Sequence, residues 1–395
     1  MSARGKVRPC LARLAGAWRA CAVLALLGAL LLPTGDRQAY AAADAEAARA
    51  CLAVAETNLL VPQGGWLRPS PAYADGNWLR DAFWTTSALG RRVGRVALDN
   101  FGRQLSPAGQ APTKLRVDGS GGAYDDDEST LLYIIWAYRD GGQPPGRLLR
   151  AWGWLRGHVT AGGYVTPPGN FHTWHDTLLF PQEGVAAYNQ GLYVVAALAA
   201  VRLGLADEAR AEAAAVFYRQ LYRRDYGYMP VSLKLDYHDA SALVGEVLAR
   251  SLFDQAILSD EAVLNTVNSL PRAGDGFKVL TAGDGTYLPP TAFSPIFARG
   301  DYQNGGSWLL YDVLAWLAAA KAGSPKAEDL ARQRLAEEAA SGDLYEYTTT
   351  LPPGGPFRSV HPTYGWNAYA CIALGLDGIP DASQVRRWAA WPTMY

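Results

Sequence analysis

The sequence predicts an all-α fold in which helical hairpins close into a ring. Three observations lead there. Apolar residues recur at i, i+3, i+4 and i+7 spacing along most of the chain, the mark of helices with one buried face. Connections alternate between short turns and long segments rich in Gly, Pro and aromatics. No run of β-α alternation appears, which argues against a TIM barrel or a doubly wound sheet.

The periodicity predicts helices over 44–58, 80–99, 127–140, 146–158, 187–203, 206–223, 239–255, 259–269, 303–322, 325–341 and 364–376, with a short twelfth near 382–389. Leu131, Ile134, Ile135 and Tyr138 define the third, and Val194, Ala197, Leu198 and Val201 the fifth. Ala240, Leu243, Val244, Val247 and Leu248 mark the seventh, and Leu310, Val313, Leu314 and Leu317 the ninth. Long segments at 100–126, 160–186, 225–238, 271–302 and 342–363 lie between alternate helices. Short turns such as Gly204-Leu205 and Gly323-Ser324-Pro325 join the others. Hairpins in a ring would gather the short turns on one face and the long loops on the other. Loops of this length in a compact domain usually carry function, so the site is expected on the long-loop face.

The 395 residues carry 36 basic and 37 acidic side chains, a formal net charge of −1. That balance argues against a nucleic-acid binder, which shows a basic stripe. The 13 Trp and 21 Tyr, with only 18% charged residues, suit stacking against a neutral ligand such as a sugar. The first residues read as a secretory leader. Arg4, Lys6, Arg8, Arg13 and Arg19 precede an uncharged run from Ala20 to Leu32, and Ala39-Tyr40-Ala41 fits a cleavage site. The run is shorter than the roughly 20 residues a membrane-spanning helix needs. The expected division is a signal peptide at 1–41 and one catalytic unit at 42–395, secreted or periplasmic, monomeric and free of the membrane. Removing the leader takes away six basic residues and one acidic residue, leaving an acidic mature chain. Cys51 and Cys371 remain near its two ends. Export permits a disulfide between them, and two buried thiols are the alternative.

The motifs fall where long loops meet helices. Asn77-Trp78-Leu79-Arg80-Asp81 opens the second helix and offers an aromatic wall beside a hydroxyl donor and acceptor. Tyr124-Asp125-Asp126-Asp127-Glu128 precedes the third. Helix capping explains one acid of that run, and the others point to substrate or metal. Asn170-Phe171-His172-Thr173-Trp174-His175-Asp176 sits in a long loop, where aromatic neighbours could keep Asp176 protonated as a general acid. His172 and His175 alone make a weak metal signal. Tyr302-Gln303-Asn304-Gly305-Gly306-Ser307-Trp308 places amides beside aromatics. Glu346 stands among Tyr345 and Tyr347, and the same loop ends at Tyr364-Gly365-Trp366. No Gly-x-Ser-x-Gly, phosphate loop or CxxC appears.

In this order the motifs resemble those of the six-hairpin glycosidase superfamily, in particular debranching-type glucosidase, mannosylglycerate hydrolase-type and glucoamylase-type catalytic domains. The resemblance spans roughly residues 60–376. It implies an (α/α)6 barrel with the site in the mouth formed by the long loops, no cofactor and no metal. It implies that Asp176 is the general acid and Glu346 the general base of an inverting glycoside hydrolase acting on an oligo- or polysaccharide. The implied substrate-binding residues are Trp78, Arg80, Asp81, Asp127, Trp174, His175, Gln303, Asn304, Trp308, Tyr364 and Trp366. Debranching enzymes carry Glu-Ile-Asn on the helix after the acid, where this chain has Tyr188-Asn189-Gln190. Glu183 and Asp127 therefore stay open as alternative acids. A polysaccharide lyase on the same toroid and a non-catalytic carbohydrate-binding protein are the rival readings.

Overall fold

The computed structural model describes residues 34–61, 64–73, 75–116, 121–160, 163–164, 166–167, 172–180, 184–350 and 359–376, with side chains from residue 42 onward. The leader up to residue 33, Glu183, and the helix expected near 382–389 lie outside them. Among the described residues there are twelve α-helices. They are α1 (Thr34–Asn58), α2 (Leu79–Leu89), α3 (Arg91–Arg103), α4 (Glu128–Asp140), α5 (Pro145–Gly157), α6 (Ala187–Arg202), α7 (Glu208–Leu221), α8 (Val244–Phe253), α9 (Asp260–Ser269), α10 (Leu309–Lys321), α11 (Ala327–Ala339) and α12 (Ala368–Ala373).

The even-numbered helices form an inner ring. Each packs on the next, from α2 through α4, α6, α8, α10 and α12, and α12 packs back on α2. The odd-numbered helices pack outside them. This is an (α/α)6 barrel, as the sequence predicts. The two layers differ in composition for a physical reason. An inner helix has protein on every side and must be apolar nearly all round. Ala187 to Ala200 of α6 are all buried, as are Leu309 to Ala319 of α10. Outer α3 buries only Gly94, Ala97, Leu98, Phe101 and Gly102, one stripe of a charged helix. Inner helices α6 and α8 approach most closely at two glycines. A methyl group on Gly245 would collide with the backbone of Gly191.

The predicted helix over 80–99 is in fact two. Gly90, at φ 82°, closes α2 and opens α3 in a one-residue turn. A single glycine in a helical pattern is a weak breaker by sequence, so the periodicity ran straight through it. The split brings the count among the described residues to twelve. It also restores the alternation. Connections at 90, 141–144, 203–207, 254–259 and 322–326 are short, and those at 59–78, 104–127, 158–186, 222–243, 270–308 and 340–367 are long. The long loops hold short antiparallel strand pairs, such as 237–239 with 280–282 and 347–348 with 359–360. Two- and three-residue strands leave no readable alternation in a sequence.

α1 is longer than predicted. It runs from Thr34, through the expected cleavage site, to Asn58. A disulfide joins Cys51 of α1 to Cys371 of α12, across 320 residues of sequence. It ties the first helix to the last, where the ring closes. No described helix is long and apolar enough to cross a membrane.

Candidate active site

All six inner helices begin at the same mouth, beneath the long loops. Helix N-termini carry partial positive charge and favour carboxylates. The sequence puts carboxyl groups there: Asp81 on α2, Glu128 on α4, Asp239 just before α8 and Asp312 on α10.

Asp176 leads out of the segment 172–180 and remains partly accessible. The Gln303 amide donates to its Oδ1 at 2.9 Å, and the Tyr302 hydroxyl stands 3.4 Å away. Gln303 also donates to the Trp174 carbonyl and accepts from Thr177, so one amide clamps both flanks of Asp176. Tyr302 holds a left-handed backbone at φ 44°. That conformation costs a non-glycine residue about 1–3 kcal/mol, and such strain collects at functional sites. Burial raises the Asp176 carboxyl above its ordinary range, against the Arg80 charge and the Gln303, His175 and Tyr302 contacts that lower it.

Glu346 lies in the last long loop, buried. Its backbone N–H donates to the carbonyls of Val360 and His361. The Tyr73 hydroxyl donates to its Oε2 at 3.0 Å, and His361 Nε2 is 3.8 Å from the same oxygen. Burial pushes the Glu346 pKa to about 8, with the negative charges of Asp176 and Asp81 adding to the rise. Asp81 is raised to about 6 by burial, with Arg80 and a hydrogen bond from Tyr364 opposing. Tyr364 lowers the Glu346 carboxyl as well, opposing its rise. Asp176, Glu346, Asp81 and Arg80 thus share one electrostatic cluster, with Tyr73 among them.

The acidic run before α4 divides into separate roles. Asp126 Oδ1 accepts from the Ser129 N–H, which caps the helix. Glu128 is fully buried between Arg80 at 3.2 Å and the Tyr188 hydroxyl at 2.7 Å. Tyr188 thus contacts a carboxylate and supplies none. Burial lifts Asp127 to about 7, with Asp126 adding to the rise. Its electrostatic neighbours are Asp126 and Tyr164, whereas Asp176 acts on Glu346 directly.

The other expected residues fall into two tiers. Trp78 and Arg80 are partly accessible at the mouth, with the Lys114 ammonium 4.0 Å from the Trp78 ring. Asp81, Tyr364 and Trp366 lie just below, and the Arg80 guanidinium stands over the Trp366 ring. Trp174, His175, Asn304 and Trp308 are buried underneath. Trp174 packs on Trp308, Tyr311 and Tyr188. Asn304 donates its amide to the Leu288 and Phe297 carbonyls. His175 has both ring nitrogens engaged, with Thr173 at 2.9 Å and Asp239 at 3.2 Å. These four are as fully buried as Trp366.

Sequence reasoning did not single out Tyr73 or Asp239, and assigned Glu128 no role of its own. Tyr73 has no neighbouring motif and arrives from the loop before α2. Asp239 could have been suspected from its place just ahead of a predicted apolar helix. Among the described residues, no three His, Cys, Asp or Glu side chains gather as a metal site.

The barrel matches solved structures closely in architecture. A glycosidase solved in complex with glucose superposes with a TM-score of 0.63 at 18% identity, over 87% of this chain and 98% of that one. The GH63 mannosylglycerate hydrolase from Thermus thermophilus, also with glucose, gives 0.52 at 14% identity, over 82% and 98%. A bacterial glucoamylase complexed with acarbose gives 0.56 at 13% identity, over 83% of this chain and 55% of its own. The fold is therefore the (α/α)6 barrel that these solved structures share. No protein-family model and no curated protein sequence matches the chain.

Proposed function

We propose that the protein is an inverting glycoside hydrolase of oligo- or polysaccharides, with Asp176 as general acid and Glu346 as general base. The observation that carries this reading is the pair of carboxyls held in one electrostatic cluster and both raised by burial. Glycoside cleavage needs one neutral and one charged carboxyl on opposite sides of the bond. Asp176 gives its proton to the glycosidic oxygen as the bond to the anomeric carbon breaks. A water attacks the other face and passes its proton to Glu346. Inversion leaves room for that water when the two carboxyls stand roughly 6.5–9.5 Å apart. Asp81 Oδ1 and Arg80 Nε are buried with no protein partner, and sugar hydroxyls would satisfy them. The structural neighbours solved with glucose and acarbose make glucosyl substrates the first class to test.

One observation favours exchanged roles. Burial raises both carboxyls, but Arg80, Gln303 and Tyr302 oppose the rise at Asp176, whereas Asp176 and Asp81 add to the burial that takes Glu346 to about 8. That balance favours Glu346 as the proton holder in the free site, with titration belonging to the pair. Glycosyl fluorides separate the two assignments, because fluoride departs with little help from an acid. Asp176→Asn should lose activity on a glucosyl disaccharide and keep it on glucosyl fluoride of the matching anomer. Glu346→Gln should lose both. The opposite pattern would exchange the roles, and full disaccharide activity in both variants would remove the hydrolase reading.

Export is part of the same proposal. The Cys51–Cys371 disulfide suits an oxidising compartment, and the basic, apolar start of the chain suits a leader over 1–41. Sequencing the N-terminus of secreted protein tests it. A start near Ala42 is expected, and retention of Met1 in the exported protein would oppose it.

A further inference from the structure

Beneath Asp176 lies a buried polar chain that the hydrolytic step does not use. His175 is fully buried, one residue before the acid. Its Nδ1 meets the Thr173 hydroxyl at 2.9 Å, and the same hydroxyl accepts the His175 backbone N–H at 2.8 Å. Its Nε2 lies 3.2 Å from Asp239 Oδ2, a charge contact without hydrogen-bond geometry, and 3.4 Å from Ser241 Oγ, which bonds the same carboxylate. Asp239 is buried as well, on the strand that leads into α8. Its Oδ1 accepts both the Ser241 hydroxyl, at 2.6 Å, and the Ser241 N–H, at 2.8 Å. Ser241 Oγ in turn accepts from Trp174 Nε1 at 2.6 Å. Both side chains preceding the acid are thus anchored, directly or through Ser241, to one carboxylate on another element.

A buried carboxylate is costly to keep unless something needs it. An apolar residue beside Trp174 would fill the space at lower cost. What the carboxylate adds is direction. It fixes the imidazole ring and the indole, and with them the backbone that carries Asp176.

We propose that Asp239 is a positioning residue for the general acid, acting through His175 and Ser241 on the segment Thr173 to Thr177. The inference rests on the reading of Asp176 as the acid. Misplacement of a reacting group by about 1 Å costs on the order of 100-fold in rate, so a support of this kind has large leverage. The charge of His175 also reaches Asp176 and opposes the rise that burial imposes. The other groups facing Asp176 are Arg80, Gln303, Tyr302, Glu346, Asp81 and Tyr73. Asp239→Asn alters none of them.

The test is steady-state kinetics of full-length Asp239→Asn. Its substrates are the best disaccharide among maltose, isomaltose, nigerose, kojibiose, trehalose and cellobiose, and glucosyl fluoride of the same anomer. Disaccharide kcat should fall at least tenfold, with KM within threefold and fluoride turnover within threefold. Equal losses on both substrates, or an unchanged disaccharide kcat, would overturn the proposal. Ser241→Ala keeps the carboxylate and removes its link to Trp174. It should shift the disaccharide-to-fluoride ratio the same way, and it decides the matter if Asp239→Asn does not fold. Asp176→Asn is run in parallel. If it retains disaccharide turnover, the acid reading fails. If it loses that turnover selectively while the Asp239 and Ser241 variants do not, only the positioning role fails.

Discussion

Replacing Glu346 with Gln should stabilise the protein at pH 8 and leave it nearly unchanged at pH 5. The reason is linkage. Glu346 titrates near 8 in the folded site, against roughly 4.3 for an ordinary glutamate. A carboxyl raised on folding contributes stability that is fully present below its unfolded pKa and is lost as pH rises through the folded one. The two values imply a penalty of about 5 kcal/mol at pH 8 and about 1 kcal/mol at pH 5. Those are ceilings, because Asp176 and Asp81 redistribute charge when Glu346 ionises. The isosteric amide still accepts the Tyr73 hydrogen bond and carries no charge. A gain of about 2 kcal/mol at pH 8 is expected, worth a few degrees in Tm for a chain of this size. Thermal melts of both proteins at pH 5 and pH 8 measure it. An equal shift at both pH values, or a lower Tm for the variant at pH 8, would refute the electrostatic account of the site.

Other perturbations follow from the same structure. Arg80→Met strands Glu128 in a buried position, and removing one partner of such a pair costs about 3–5 kcal/mol. Because burial already lifts Glu128 to about 7, urea unfolding should show a larger loss at pH 8 than at pH 5. Gly245→Ala forces α6 and α8 apart at Gly191 and should cost about 1–3 kcal/mol, read from the urea midpoint. Reducing the Cys51–Cys371 bond frees a 320-residue loop in the unfolded chain. The chain-entropy model puts the loss at up to about 6 kcal/mol, measured as a fall in Tm with a phosphine reductant. A Cys51→Ser, Cys371→Ser double variant should then show no further fall with reductant.

The barrel was legible because its physics is repetitive. Inner helices such as 187–202 and 309–321 are apolar all round, and outer ones such as 91–103 carry one stripe. The alternation of loop length marked the end where the long loops and the candidate site gather. What escaped were features decided by single residues or by distant ones. Gly90 breaks a helix that hydrophobic periodicity alone would continue. Glu128 looks like one more acid in a run until Arg80 and Tyr188 arrive from other helices to bury it. His175 sits in the richest motif and resembles a ligand contact, yet the carboxylate that engages it lies 64 positions along the chain. Tyr73 comes from a loop with no motif and reaches Glu346 across 273 positions. Local patterns predict elements well. They do not predict which buried polar group meets which partner, because that depends on closure of the whole ring.

The central claim is that Asp176 and Glu346 cleave a glycosidic bond with inversion. Proton NMR of the wild-type reaction, recorded faster than the product mutarotates, tests it most directly. A glucosyl disaccharide should release glucose first in the anomer opposite to that of its bond, and Glu346→Gln should abolish the signal. Release of the same anomer, or glucose formation that survives in Glu346→Gln, would contradict it.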